Sequence, residues 1–127
     1  MRGELEKVIG YLPLSCRQAN LSHANLQNHK LFDLFGANLS HANLTGADLV
    51  GANLNDANLR DANLNQANLT RTTINKNTQL DPKWRLVWQL LNQEDFAADL
   101  MNADLSEAYL ERCQLSGANL TGVNFTN

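Results

Sequence analysis

Residues 36–75 read GANLS HANLT GADLV GANLN DANLR DANLN QANLT RTTIN, eight pentads in a row. From Ala98 a second block of pentads reads ADLMN ADLSE AYLER CQLSG ANLTG VNFTN, one residue out of phase with the first, and a short copy, QANLS HANLQ, precedes the first block. The large apolar residue of each pentad is its centre. Clean centres fall at 21 and 26, then every fifth residue from 39 to 74 and from 100 to 125. Of these 16 centres, 14 are Leu; the others are Ile74 and Phe125. Two residues before each centre stands Ala in 13 cases, with Thr72, Cys113 and Val123 completing the set.

A period of five fits neither a helix nor a single strand. A helix would wind the leucines around every face and leave no apolar stripe. A continuous strand would send successive centres to opposite faces, because five is odd. The chain must therefore turn after each pentad. The small and large residues, two apart on a locally extended backbone, point to one side and form the interior. The position two after the centre marks the corner. It holds His23, Asn28, Gly36, His41, Gly46, Gly51, Asp56, Asp61, Asn102, Gly117 and Gly122, with Gln66, Arg71, Glu107 and Arg112 as exceptions. Gly, Asn, Asp and His favour turns or tolerate positive φ better than other residues.

This pattern resembles the pentapeptide-repeat family, whose repeat is often written A(D/N)LXX. The resemblance covers 80 residues in clean pentads. It implies an all-β solenoid, a right-handed quadrilateral β-helix of about five coils, stacked at the inter-strand spacing of ~4.8 Å. The expected core ladder is Leu39, Leu44, Leu49, Leu54, Leu59, Leu64, Leu69, Ile74, Leu100, Leu105, Leu110, Leu115, Leu120 and Phe125. Pentads 20 residues apart would stack, Leu39 over Leu59 and Leu54 over Ile74 among them.

The breaks divide a single domain. Residues 1–18 are expected to cap the solenoid, with a short helix over 3–11 carrying Leu5, Val8, Ile9 and Leu12 at helical spacing. Residues 19–80 form coils, with a bulge or short loop near 27–36 in which Leu31 and Leu34 are irregular centres and Phe32 is too large for the small position. Residues 81–93 form an inserted helix. Asp81 serves as N-cap and Pro82 as the first helical residue, while Trp84, Val87, Trp88 and Leu91 make an apolar stripe. Thr78 and Leu80 fit one more small-large pair, shifted by one residue. Residues 94–127 form the C-terminal coils. The string DPKWRLVWQLLNQ resembles an insertion found among cyanobacterial pentapeptide-repeat proteins.

Composition excludes several function classes. Leu, Asn and Ala number 23, 18 and 14 of 127 residues, a bias that points to a repeat. No apolar run approaches the ~20 residues of a membrane-spanning helix. A net charge of −3 is not that of a strongly basic nucleic-acid binder. The start lacks the ~7–15-residue apolar stretch of a secretory signal, so the expected setting is the cytoplasm, with Cys16 and Cys113 reduced. His23 and His41 fall at corners and His29 in the irregular segment; no catalytic constellation, phosphate loop or metal-binding cluster is present. No enzyme, cofactor or metal is expected.

Two patches are candidate contact surfaces. Trp84 and Trp88 either pack on the coils or stand exposed as partner anchors, since aromatic residues dominate hot spots. Residues 94–127 carry a net charge of −5, and Asp99, Asp104, Glu107 and Glu111 there are either a solvated face or a docking patch for a basic partner. The repeat runs to Phe125, and an open last coil points to pairing with a second copy. The expected function is a non-enzymatic protein–protein interaction scaffold whose protein partner is unidentified, with neither nucleic acid nor membrane involved. The alternative is a gyrase- or topoisomerase-binding DNA mimic, which resemblance to some family members suggests. Residues 36–75 oppose it: Asp48, Asp56 and Asp61 against Arg60 and Arg71 leave only −1. A third reading is a regulator of cell differentiation acting through protein contacts.

Overall fold

Each pentad must satisfy five backbone N–H groups, and the pentad Ala37–His41 shows how. Ala37 N–H donates to Leu34 O (3.0 Å) and closes the corner. Asn38 N–H donates to Ala19 O (2.9 Å) in the preceding coil, and Leu39 N–H to Asn58 O (2.7 Å) in the following one. His41 N–H also reaches the following coil, at Arg60 O (3.0 Å). Ser40 N–H turns inward to the Asn38 side chain, Oδ1, at 3.2 Å. That last bond explains the Asn or Asp before 13 of the 16 centres. It closes an Asx turn onto the N–H two residues on, a group that would otherwise lack a partner. The same bond recurs from Thr45, Val50, Asn55, Arg60, Asn65 and Thr70 to the Asn or Asp two residues back.

In this computed structural model, which describes residues 15–127 apart from Asp95, Ala97 and Ala98, these bonds build a stack of coils of the β-helix type. The expected cap over residues 1–18 lies outside the described residues except for its last four. Coils meet through isolated parallel bridges, not extended strands, because each pentad gives most of its residues to the corner. Asn38, Asn43, Asp48 and Asn53 bridge Asn58, Asn63, Asn68 and Thr73, the expected 20-residue register. Leu39 through Leu69 are 0–1% exposed. Each such leucine contributes about 2 kcal/mol of transfer free energy. Ala37, Ala42, Ala47, Ala52 and Ala57 are equally buried and leave the neighbouring leucines room.

The corners hold residues at positive φ, including all those singled out by position. Gln66, Arg71, Glu107 and Arg112 adopt it too, at 57°, 60°, 55° and 68°. The rungs on either side fix the corner, so the backbone is imposed on whatever residue sits there. Each non-glycine residue bears a cost of about 1–2 kcal/mol.

Two expectations are corrected, and one residue finds its place. The break near 27–36 is not a bulge. Lys30 bridges Asp48 and Asp33 bridges Asn53, so the offset steps from 18 to 20 between them. Leu31 and Leu34, only three apart, both enter the core (1% and 0% exposed), while Phe32 faces out at 54%. One corner is simply shorter. Cys16, ahead of the first clean pentad, is a buried rung, its N–H on Asp33 O (2.7 Å). Burial pushes its thiol pKa up, and Asp33 adds to the shift. Finally, the ladder does not stay buried to Phe125. Ile74, Leu110 and Leu115 are half-buried, and Leu120 and Phe125 stand 40% and 43% exposed on the last described coil, which has no described rung beyond it.

Candidate functional site

Helix α1 spans Pro82–Asn92 and interrupts the pentads. Pro82 opens it, removing one N–H that would have no helical partner. Asp81 occupies the N-cap position, yet its side chain makes no capping bond; its carbonyl accepts from Arg85 N–H at 3.0 Å. The pair expected just before α1 is present: Gln79 bridges Asn58, and buried Thr78 donates its hydroxyl to Leu54 O (2.9 Å).

The apolar face of α1 joins the solenoid core. Trp84, Val87 and Leu90 are 7%, 0% and 2% exposed and belong to the same cluster as the ladder leucines. The most buried line therefore runs through Leu90, whereas Trp88 and Leu91 of the expected stripe are half-buried. Trp84 is thus a core residue in this arrangement. Trp88 donates its indole N–H to Thr72 O (3.0 Å), so its half-buried ring is held in place.

Asn92 substitutes for a missing coil. In the uninterrupted stack Gly51 N–H donates to Thr70 O of the following coil, 3.0 Å away. One rung on, Arg71 N–H donates to the Asn92 side chain, Oδ1, at 2.5 Å. Asn92 Nδ2 donates in turn to Leu69 O (3.1 Å) and Trp88 O (2.9 Å). Arg85 adds a bond to Thr78 O (2.8 Å). The coils resume beyond the helix: Gln66 N–H reaches Glu107 O (2.7 Å), and Asp99 and Asp104 bridge Asn119 and Asn124 in the 20-residue register.

A notch opens where the C-terminal end of α1 parts the rungs. One groove of about 410 Å³ is lined by Arg71, Thr72, Trp88, Leu91, Asn92 and Arg112, among others. A second, of about 280 Å³, lies beside Tyr109 and Glu111 and shares Arg71 and Arg112. The two arginines are exposed and hold successive corners of one edge, as Gln66 and Glu107 do on the neighbouring edge. Sequence reasoning set both aside as exceptions to the corner rule. Their register across the insertion is visible only in three dimensions.

The acidic residues expected as a docking patch do not converge. Asp99 Oδ1 accepts from Met101 N–H (3.1 Å) and Asp104 Oδ1 from Ser106 N–H (3.0 Å), the role Asn plays elsewhere. Asp104 also pairs with Lys83 at 3.3 Å. Bonds from Ser106, aided by Lys83, lower its pKa to about 2. Glu111 accepts from the Tyr109 hydroxyl, and Glu107 is a half-buried corner residue. Elsewhere the rings of His23 and His41 stack at 4.8 Å, with Asp61 4.0 Å from His41. Cys113 is half-buried, and burial raises its pKa. Among the described residues no three His, Cys, Asp or Glu side chains form a group able to hold a metal, and no helix is long and apolar enough to cross a membrane.

A family model for pentapeptide repeats matches residues 33–73 and 98–127, in 8 copies. The chain is similar to Rfr23, a pentapeptide repeat protein from the cyanobacterium Cyanothece 51142: 36% identical, covering 50% of this chain and 55% of that one, TM-score 0.38. A pentapeptide repeat protein from Nostoc Pcc 7120 is 31% identical over 61% of this chain and 83% of its own, TM-score 0.44. HetL from Nostoc sp. strain PCC 7120, a pentapeptide repeat protein involved in heterocyst differentiation regulation, is 32% identical over 91% of this chain, TM-score 0.32. The chain spans about half the length of Rfr23 and of HetL. No curated protein matches the sequence.

Proposed function

The chain belongs to the pentapeptide repeat family, and on that premise we propose that it is a non-enzymatic, cytoplasmic scaffold for protein–protein contacts. We take the coil as right-handed and four-sided, about five coils tall. One observation carries the reading: the repeat's polar side chains are spent on its own backbone. Asn20, Asn38 and Asn58 link side chain to side chain up one face, at 3.4 and 3.3 Å, while Asn38 and Asn58 also accept the N–H two residues on. Such a face is rigid before binding and loses little entropy on docking. Among the described residues the interior is filled chiefly with leucine and alanine, which offer no titratable group for catalysis.

Charge argues against the DNA-mimic alternative. Asp48 pairs with Lys30 (3.5 Å) and Asp104 with Lys83, so these faces lack the unbroken negative field of a duplex. Crosslinked pull-down from the native host tests the proposal. A specific protein, released when the scaffold is unfolded, supports it. Capture of nothing beyond a scrambled-repeat control overturns it, and capture of a gyrase subunit restores the alternative.

A further inference from the structure

We propose that the notch beside α1 is the recognition site of the scaffold, and that it takes an acidic peptide segment of a partner protein; this rests on the scaffold reading above. Arg71 and Arg112 face solvent on one edge and line both grooves. The described ion pairs use Arg17, Lys30, His41 and Lys83, and none uses Arg71 or Arg112. Among the described residues no carboxylate pairs with either guanidinium group. Glu111 receives the Tyr109 hydroxyl, and Glu94 lies at the rim beyond the end of α1. The floor between the arginines combines an apolar surface with fixed polar groups: Trp88, held by its bond to Thr72 O, half-buried Leu91, and Asn92.

That combination fits a glutamate or aspartate beside a large apolar side chain. The carboxylate takes charge-assisted, bidentate bonds from guanidinium, and the apolar neighbour lies against Trp88 and Leu91. The site is pre-organised, because Asn92 holds the Arg71 backbone and the Thr72 carbonyl holds the Trp88 indole. The chain is acidic overall, so two arginines on one edge with no ion pair among the described residues stand out against its average charge.

The test is a solution NMR titration of the whole protein with a soluble peptide of alternating glutamate and leucine. Its glutamine counterpart and inorganic phosphate serve as the comparison probes. The glutamate peptide should shift the Trp88 indole N–H and the Arg71 and Arg112 side-chain N–H signals. The glutamine peptide should bind about tenfold or more weakly. The double variant Arg71→Gln, Arg112→Gln should lose the response by a similar factor while its spectrum stays folded; Gln66 shows that glutamine is accepted at such a corner. No shift, a shift unchanged in the variant, or a response to phosphate but not to the peptide each overturns the assignment. A pull-down partner retained by the folded variant refutes this site and leaves the scaffold standing, whereas absence of any partner refutes the scaffold itself.

Discussion

Replacing Trp84 by alanine tests whether α1 is part of the core. The side chain is 7% exposed, lies in the same cluster as the ladder leucines, and has Lys83 5.0 Å from its ring. Burying about 200 Å² of indole at ~25 cal/mol per Å² gives about 5 kcal/mol, less the share that the alanine methyl keeps. Large-to-small changes of this kind cost about 3–5 kcal/mol. Against a total stability of about 5–15 kcal/mol, that is a severe loss. Guanidinium unfolding followed by circular dichroism should show one transition, displaced to lower denaturant. Trp88→Phe is the control. It keeps most of the ring and loses one bond to Thr72 O, for about 0.5–1.5 kcal/mol. A Trp84→Ala loss under about 1 kcal/mol, or a separate early transition for the helix with the coils untouched, would refute the packing argument.

Three further outcomes follow from the same contacts. Ala57→Leu adds bulk where the chain is 0% exposed and should lower stability by about 1–3 kcal/mol or more, read as a fall in Tm. Asp104→Asn installs the repeat's usual residue, so only charge changes. The carboxyl's pKa falls from 3.8 unfolded to about 2 folded, so its contribution is whole above pH 4 and is lost as pH falls through 2. The variant's Tm should therefore decline less than the wild type's between those values, and parallel curves would exclude the Ser106 and Lys83 contacts as the cause. Phe125→Glu removes an exposed aromatic and should abolish any self-association that light scattering detects at high micromolar concentration. An unchanged oligomer mass would place that contact elsewhere.

The coil was legible because one residue pair repeats sixteen times at five-residue spacing within three blocks, and no local irregularity can mask that. The corners were legible for the same reason, although Gln66, Arg71, Glu107 and Arg112 looked like exceptions. Sequence preference weighs the residue, whereas the stacked rungs impose the backbone. The role of the Asn before most centres went unread in the sequence. Its position, always between the small and the large residue, was the signal that it closes the turn. Leu31 and Leu34 were legible as irregular centres, but not the reason for their spacing, which is that one corner lost two residues. Helix α1 was legible in extent, but the depth of Trp84 and Leu90 depends on what lies beneath the helix. The Arg71 and Arg112 edge was hidden altogether, because those residues meet only after the insertion is folded back.

The central claim is that the inserted helix is built into the coil stack and parts its rungs. Methyl-labelled NMR measures this directly through distance contacts. The account predicts contacts from Val87 and Leu90 methyls to solenoid leucines, together with an Arg71 amide whose exchange protection is lost in Asn92→Ala. Helix methyls that touch only one another, with an Arg71 amide indifferent to Asn92, would contradict it.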